Sequence, residues 1–109
     1  MEIGRFKTRI ENDNWETEVA NVGKQDLLFQ DIRIENEKIK GTLKTNQADI
    51  ESKDNYFSIY KRGESFIIKT GFFVSTPEEL EIKFNKNDLV IFDKKNNIEI
   101  LINNKESYN

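Results

Sequence analysis

Through most of the chain apolar residues fall at every second position, in short runs separated by turn residues, and that alternation predicts strands. In IGRFKTRIE, residues 3–11, Phe6 and Ile10 interleave with Arg5, Lys7 and Arg9; after Asn12 and Asp13 comes Trp15, Thr17 and Val19 interleaved with Glu16 and Glu18. A two-residue turn at Asn12-Asp13 makes this a hairpin in which Ile10 faces Trp15, Phe6 faces Val19, Arg9 faces Glu16 and Lys7 faces Glu18. Opposite charges across a hairpin help to set its register, so the ladder of cations reads as a neutralised face rather than a phosphate strip, with Arg5 alone left unpaired opposite Ala20. Trp15, opposite Ile10, is expected to fill core.

The same pattern continues. LLFQDIRIE and KIKGTLKT, joined by Asn36-Glu37, align Ile34 with Ile39, Glu35 with Lys38 and Arg33 with Lys40. NYFSIYKRGESFIIKT, pivoting at Arg62-Gly63, aligns Phe57 with Ile68, Ile59 with Phe66 and Lys61 with Glu64. LEIKF and LVIF pair around Lys86-Asn87, and IEILI returns after DKKNN. Two stretches break the rhythm: TNQADIESKD, residues 45–54, reads as a loop or one to two helical turns, and STPEEL carries a helix-start signal in Thr76, Pro77 and Glu79 that Leu80, Ile82 and Phe84 cut to a single turn.

About nine strands joined by tight turns predict an all-β fold: one small antiparallel domain over residues 1–102, a barrel or a sandwich, followed by a polar, frayed tail at 103–109. At 109 residues the chain can bury one core but not two. The hairpin plan with its short central insertion is compatible with an oligonucleotide-binding barrel, an analogy of architecture alone.

Composition narrows the chemistry. With neither cysteine nor histidine, thiolate zinc sites, disulfides, cysteine nucleophiles and Ser/His arrangements are excluded. The five glycines are isolated and form no phosphate-binding loop, and the carboxylates Glu78, Glu79, Glu81, Asp88 and Asp93 read as surface charge rather than a metal or acid/base site. The expectation is a protein without catalysis, cofactor or metal. The charge-studded N-terminus and the lack of a long apolar run predict a cytoplasmic protein that does not enter membranes. Fourteen Ile, 13 Asn and 13 Lys against 2 Ala and 4 Arg point to an AT-rich genome, as in a low-GC bacterium or its phages and mobile elements.

The stretch most like a site runs from 55 to 75, the one clearly positive segment. Its alternation puts Tyr56, Ser58, Tyr60 and Arg62 on one face with Ser65, Ile67 and Lys69, and Phe57, Ile59, Phe66 and Ile68 on the other. Phe72 and Phe73, adjacent in a strand, are expected to point to opposite faces. Tyrosines beside cations suit a protein interface, where they bring large area at low entropy cost, or base stacking on a single strand of nucleic acid. The pI near 5.1 and the few arginines weigh against nucleic acid. The expected function is therefore binding of a protein partner through Tyr56, Tyr60, Arg62, Ile67, Lys69 and Phe73, as in a phage or mobile-element protein that inhibits a host protein. Single-stranded nucleic acid, held by these residues with Arg5, is the alternative, and self-association through an unpaired edge strand a further one.

Overall fold

The computed structural model describes residues 1–45, 55–73 and 78–106. One helix, α1 (Ile3–Asn12), precedes eight strands: β1 (Trp15–Val19), β2 (Gly23–Glu35), β3 (Lys38–Thr45), β4 (Tyr56–Arg62), β5 (Ser65–Thr70), β6 (Glu78–Asn85), β7 (Asp88–Asp93) and β8 (Ile98–Asn104). Each strand pairs antiparallel with the next, and β8 returns to β1, closing an up-and-down barrel. The all-β expectation holds and the sandwich does not. Sequential pairing throughout also replaces the oligonucleotide-binding plan, whose five strands follow a Greek key.

The N-terminal hairpin is the main correction. Residues 3–12 are helical, so Asn12-Asp13 makes no hairpin turn, and the described residues form eight strands. Phe6 and Ile10 lie four apart, a separation common to both periods, but Ile3 completes an i, i+3, i+7 series that only a helix puts on one face. Lys7 pairs with Glu11 one turn on, and the Thr8 hydroxyl donates to the Gly4 carbonyl. Arg9 instead lies over the Phe84 ring, 3.6 Å from its centroid, and donates to the Lys86 carbonyl at 2.8 Å. No cation ladder exists. Arg5 is exposed on the helix rather than opposite Ala20, and β1 pairs with β2 and β8.

Phe6 and Ile10 carry the helix into one end of the barrel. Phe6 sits between Phe66 and Phe84, with ring centroids 4.6 and 4.7 Å away, and is 1% exposed. Burying two such side chains is worth about 1.5–3 kcal/mol each, enough to hold a ten-residue helix that has no side-chain cap. Inward residues from every strand fill the interior, with Ile39, Ile59, Ile82, Leu89, Ile91 and Ile102 wholly enclosed. Trp15 is core, as expected.

Later hairpins follow the alternation closely. Ile34 faces Ile39, Glu35 faces Lys38 and Arg33 faces Lys40, around Asn36 and Glu37, both in the left-handed region. A β-bulge between Gln30 and Arg33, with Asp31 left-handed, adds one residue to β2. The β6–β7 pairing is also as expected, with Asn85 facing Asp88. The β4–β5 hairpin is shifted by two residues: Ile59 faces Ile68, Phe57 faces Thr70 and Lys61 faces Phe66, because the turn is Gly63-Glu64, with Gly63 at φ +62°. A two-residue slip preserves the faces.

Glu79 belongs to β6, not to a helical turn, while Thr76 and Pro77 lie outside the described residues, as do 46–54. At the other end of the chain, β8 runs past residue 102 to Asn104. Lys105 N donates to the Asn14 carbonyl at 2.8 Å and the Glu106 carboxylate accepts from Asn14 N at 2.8 Å, so residues 103–106 are anchored, while the rest of the expected tail, 107–109, lies outside the described residues.

Closure removes the free edge strand on which self-association was expected to depend. The seam between β1 and β8 is nevertheless short: Trp15, Glu16 and Thr17 face Asn104, Asn103 and Ile102, and pairing stops there. Beyond Thr17 the two strands part toward the barrel end opposite α1.

Candidate functional site

Period-two geometry in β4 and β5 places Tyr56, Ser58, Tyr60 and Arg62 beside Ser65, Ile67 and Lys69 on the outside of the barrel, while Phe57, Ile59, Phe66 and Ile68 are buried within it. Across the strands Tyr60 faces Ile67 and Ile67 faces Glu81; Ser58 faces Lys69 and Lys69 faces Glu79. Five of the seven residues expected at a site thus share one surface. Phe73 and Arg5 lie elsewhere, Phe73 at the barrel mouth and Arg5 on α1.

At the centre of this surface is a bonded cluster. Arg62 Nη2 donates to the Tyr60 hydroxyl at 3.1 Å and to Glu79 Oε2 at 2.5 Å, reaching from β4 across β5 to β6. Lys38 Nζ lies 4.9 Å from the Tyr60 ring centroid. The cluster encloses Ile67, which points outward yet is only 8% exposed. Tyr56, by contrast, is 71% exposed, the most exposed large apolar side chain described.

Protonation follows from these contacts. The Tyr60 hydroxyl bond and the Arg62 guanidinium hold the Glu79 carboxyl below its ordinary value. Partial burial, then the bond to Glu79, push the Tyr60 phenol up, and Glu79 raises Arg62. All three keep their neutral-pH forms, so the cluster is a brace and supplies no proton donor or base poised near neutrality.

Two shallow hollows flank it. One, about 440 Å³, lies between Glu2, Ile3 at the start of α1, the Asn36-Glu37 turn, Lys38, and Tyr60 and Lys61. The other, about 480 Å³, is lined by Arg62, Ile67, Phe92, Lys94, Lys95 and the carboxylates Glu78, Glu79, Glu81 and Asp93. Lys94 is itself paired with Glu81 at 3.0 Å. The positive segment seen in the sequence is thus neutralised in space by β6.

Glu79 and Lys38 are the two members of this surface that the sequence does not single out. Glu79 reads as a helix-start acid until the alternation of Leu80, Ile82 and Phe84 is extended back one position, which turns it outward beside Lys69. Lys38 is legible only through the β3–β4 pairing, which crosses the insertion.

Phe72 and Phe73 do not split between two faces. β5 ends at Thr70, whose hydroxyl accepts from Phe72 N at 3.1 Å, and both rings pack on the core edge-on, 5.1 Å apart. They line a cup of about 330 Å³ with Thr17, Glu18, Val19, Thr45 and Ile100, where the β1–β8 seam parts.

Among the described residues no group of three or more His, Cys, Asp or Glu could hold a metal ion, and no helix is long and apolar enough to cross a membrane. The molecule is thus an eight-stranded antiparallel barrel plugged at one end by a helix. Comparison with protein-family models, curated proteins and solved structures finds no match, so its own residues must carry the functional argument.

Proposed function

We propose that the protein is a non-catalytic binding protein that engages a folded protein partner through the outer surface of β4, β5 and β6. The observation that carries this reading is the exposed Tyr56 beside the braced Tyr60–Arg62–Glu79 cluster. A pre-ordered Tyr and Arg lose little entropy on binding, and both residue types anchor protein interfaces. The partner surface this fits has a recess for the Tyr56 ring and charges of both signs to meet Arg62, Lys69 and the β6 carboxylates.

The same charge balance argues against single-stranded nucleic acid, because Arg62 is committed to Glu79 and Lys69 faces it. Lack of cysteine and the AT-rich composition fit a cytoplasmic accessory protein of a phage or mobile element that occludes a host protein.

The test combines two titrations. The protein, immobilised beside Tyr56→Ala and Tyr60→Ala variants, captures a partner from host lysate; that partner is purified and its affinity for each form is measured at low and moderate salt. A drop of tenfold or more on losing either tyrosine, with weak salt dependence, supports the reading. Affinity unchanged in both variants overturns it. So does micromolar, steeply salt-dependent binding of labelled single-stranded DNA or RNA that is lost in Tyr60→Ala and Lys69→Ala.

A further inference from the structure

We propose that the projecting half of β2 is a strand-addition site, separate from the outer surface of β4–β6, that takes an extended peptide carrying aliphatic and basic side chains. Closure gives every strand two neighbours, yet β2 has 13 residues and β1 only 5. β1 begins at Trp15, because the chain before it is committed to α1, and it covers β2 only from Gly23 to Leu27. From Leu28 to Glu35, β2 pairs with β3 on one side and with no described strand on the other.

Main-chain geometry fixes which groups point out of this edge. The two-residue turn at Asn36-Glu37 makes Glu35 and Lys38 a bonded pair, so Glu35 and Arg33 direct their N–H and C=O groups to β3 and Ile34 directs its own away. Phe29 behaves like Ile34. Its partner Leu43 donates its N–H to the Asn55 carbonyl on the far side of β3, so Phe29 and Leu43 share no bond. The outward groups of Phe29 and Ile34 are a template for one more strand, in the lane that β1 does not reach.

Side chains specify the guest. A gap of about 320 Å³ lies between this edge and the end of α1 with Asn14. Half-buried Phe29 and Ile32 line it, and Leu28 and Ile34 along the edge are 41% and 43% exposed, which gives aliphatic side chains of a peptide something to cover. The ionisable residues lining the gap, Glu11, Asp13 and Asp31, are all acidic. Glu11 is paired with Lys7 and Asp13 accepts from Asn104, while Asp31 stands exposed in the bulge. A basic guest meets negative charge there, and an acidic one is repelled. A second copy of β2 fits poorly: the bulge at left-handed Asp31 breaks the line of the edge, a device that keeps edges from pairing with their own kind.

The probes are acetyl-Lys-Val-Lys-Val-Lys-amide, its Glu-Val-Glu-Val-Glu counterpart, and two forms of the basic peptide N-methylated at alternate residues. In an amide chemical-shift titration the basic peptide is expected to shift Leu28, Phe29, Ile32 and Ile34 saturably, and to slow hydrogen exchange at the Ile34 amide about tenfold or more. The acidic peptide and at least one N-methylated form should bind about tenfold more weakly. Ile34→Pro removes an outward N–H and no bond of the barrel, so it should weaken binding about tenfold with the fold kept; Asp31→Lys serves if that variant fails to fold. Tyr56→Ala should bind unchanged, which separates this site from the outer surface. Because Glu106 is bonded to Asn14 beside the gap, a chain ending at Glu106 is titrated too, and should bind like the full chain. No saturable shift at these amides overturns the proposal, as does equal binding of the basic and acidic peptides, of both N-methylated forms and the parent peptide, or of Ile34→Pro and the parent protein. Binding lost in Tyr56→Ala or confined to the shortened chain overturns it as well, and so does a dimer in sedimentation that Ile34→Pro abolishes, which would put a second copy on the edge.

Discussion

The indole nitrogen of Trp15, the first residue of β1, donates to the carbonyl of Ile10 in the last turn of α1 at 3.0 Å. The last four carbonyls of a helix have no partner within it, and a buried one must find another. Trp15 therefore satisfies the helix it follows and fixes the angle at which α1 enters the barrel.

Trp15→Phe keeps most of the ring and removes the donor. A loss of about 1–3 kcal/mol in unfolding free energy is expected from urea denaturation, because the Ile10 carbonyl stays buried without its bond. A loss below the error of extrapolation would mean that the bond contributes nothing and Trp15 acts by packing alone.

Gly41 in β3 has no room for a side chain between β2 and β4. A Cβ there would lie 2.6 Å from the Gln30 carbonyl oxygen and 2.9 Å from Phe57 Cε1. Phe57 is a fixed core ring and Gln30 borders the β2 bulge, so neither yields without moving the sheet. Gly41→Ala should destabilise by about 1–3 kcal/mol, read as a lowered melting temperature.

The Tyr60–Glu79 contact predicts a pH dependence with a definite sign. The folded Glu79 carboxyl titrates below the ordinary 4.5, so the stability it contributes is complete above that value and is lost as pH falls through the lower folded one. Glu79→Gln removes this contribution, and its urea midpoint should change less than that of the parent between neutral and acid pH. In ultraviolet difference titration the raised Tyr60 phenol should move down toward its ordinary value in the same variant. Identical curves for the two proteins would show that the contact is absent in solution.

Where local geometry decides the outcome, the pattern of residues is enough to read it. The hairpins at Asn36-Glu37 and Lys86-Asn87 have turns of fixed length, and their registers are as the alternation implies. At Arg62-Gly63-Glu64 the turn can close in two ways; only the register is lost, since a slip of two leaves every side chain on its face. Thus the alternation alone groups Tyr56, Tyr60, Arg62, Ile67 and Lys69 correctly. Glu79, which neutralises them, is brought in by a strand beyond residues 74–77, and no local signal specifies that pairing. The opening segment fails for another reason. Eight residues with apolar side chains at Ile3, Phe6 and Ile10 are too few to separate the two periods, and a barrel end needing a plug decides between them.

That helix can be tested from inside its own sequence, because strand and helix demand opposite responses. Gly4 stands in the first turn, and a Cβ added there would meet nothing within 4 Å. In a helix Gly4→Ala removes backbone entropy from the unfolded chain and meets no obstacle, so stability should rise by about 0.5–1 kcal/mol. Lys7→Pro, in the helix interior, loses a backbone bond and clashes with the preceding turn, at a cost of about 3 kcal/mol or more. Were residues 3–11 paired as a strand against β1, alanine at position 4 would bring little gain. Urea midpoints for the two variants, rising in the first and falling in the second, establish the helix; a Gly4→Ala protein no more stable than the parent, with Lys7→Pro tolerated, restores the strand.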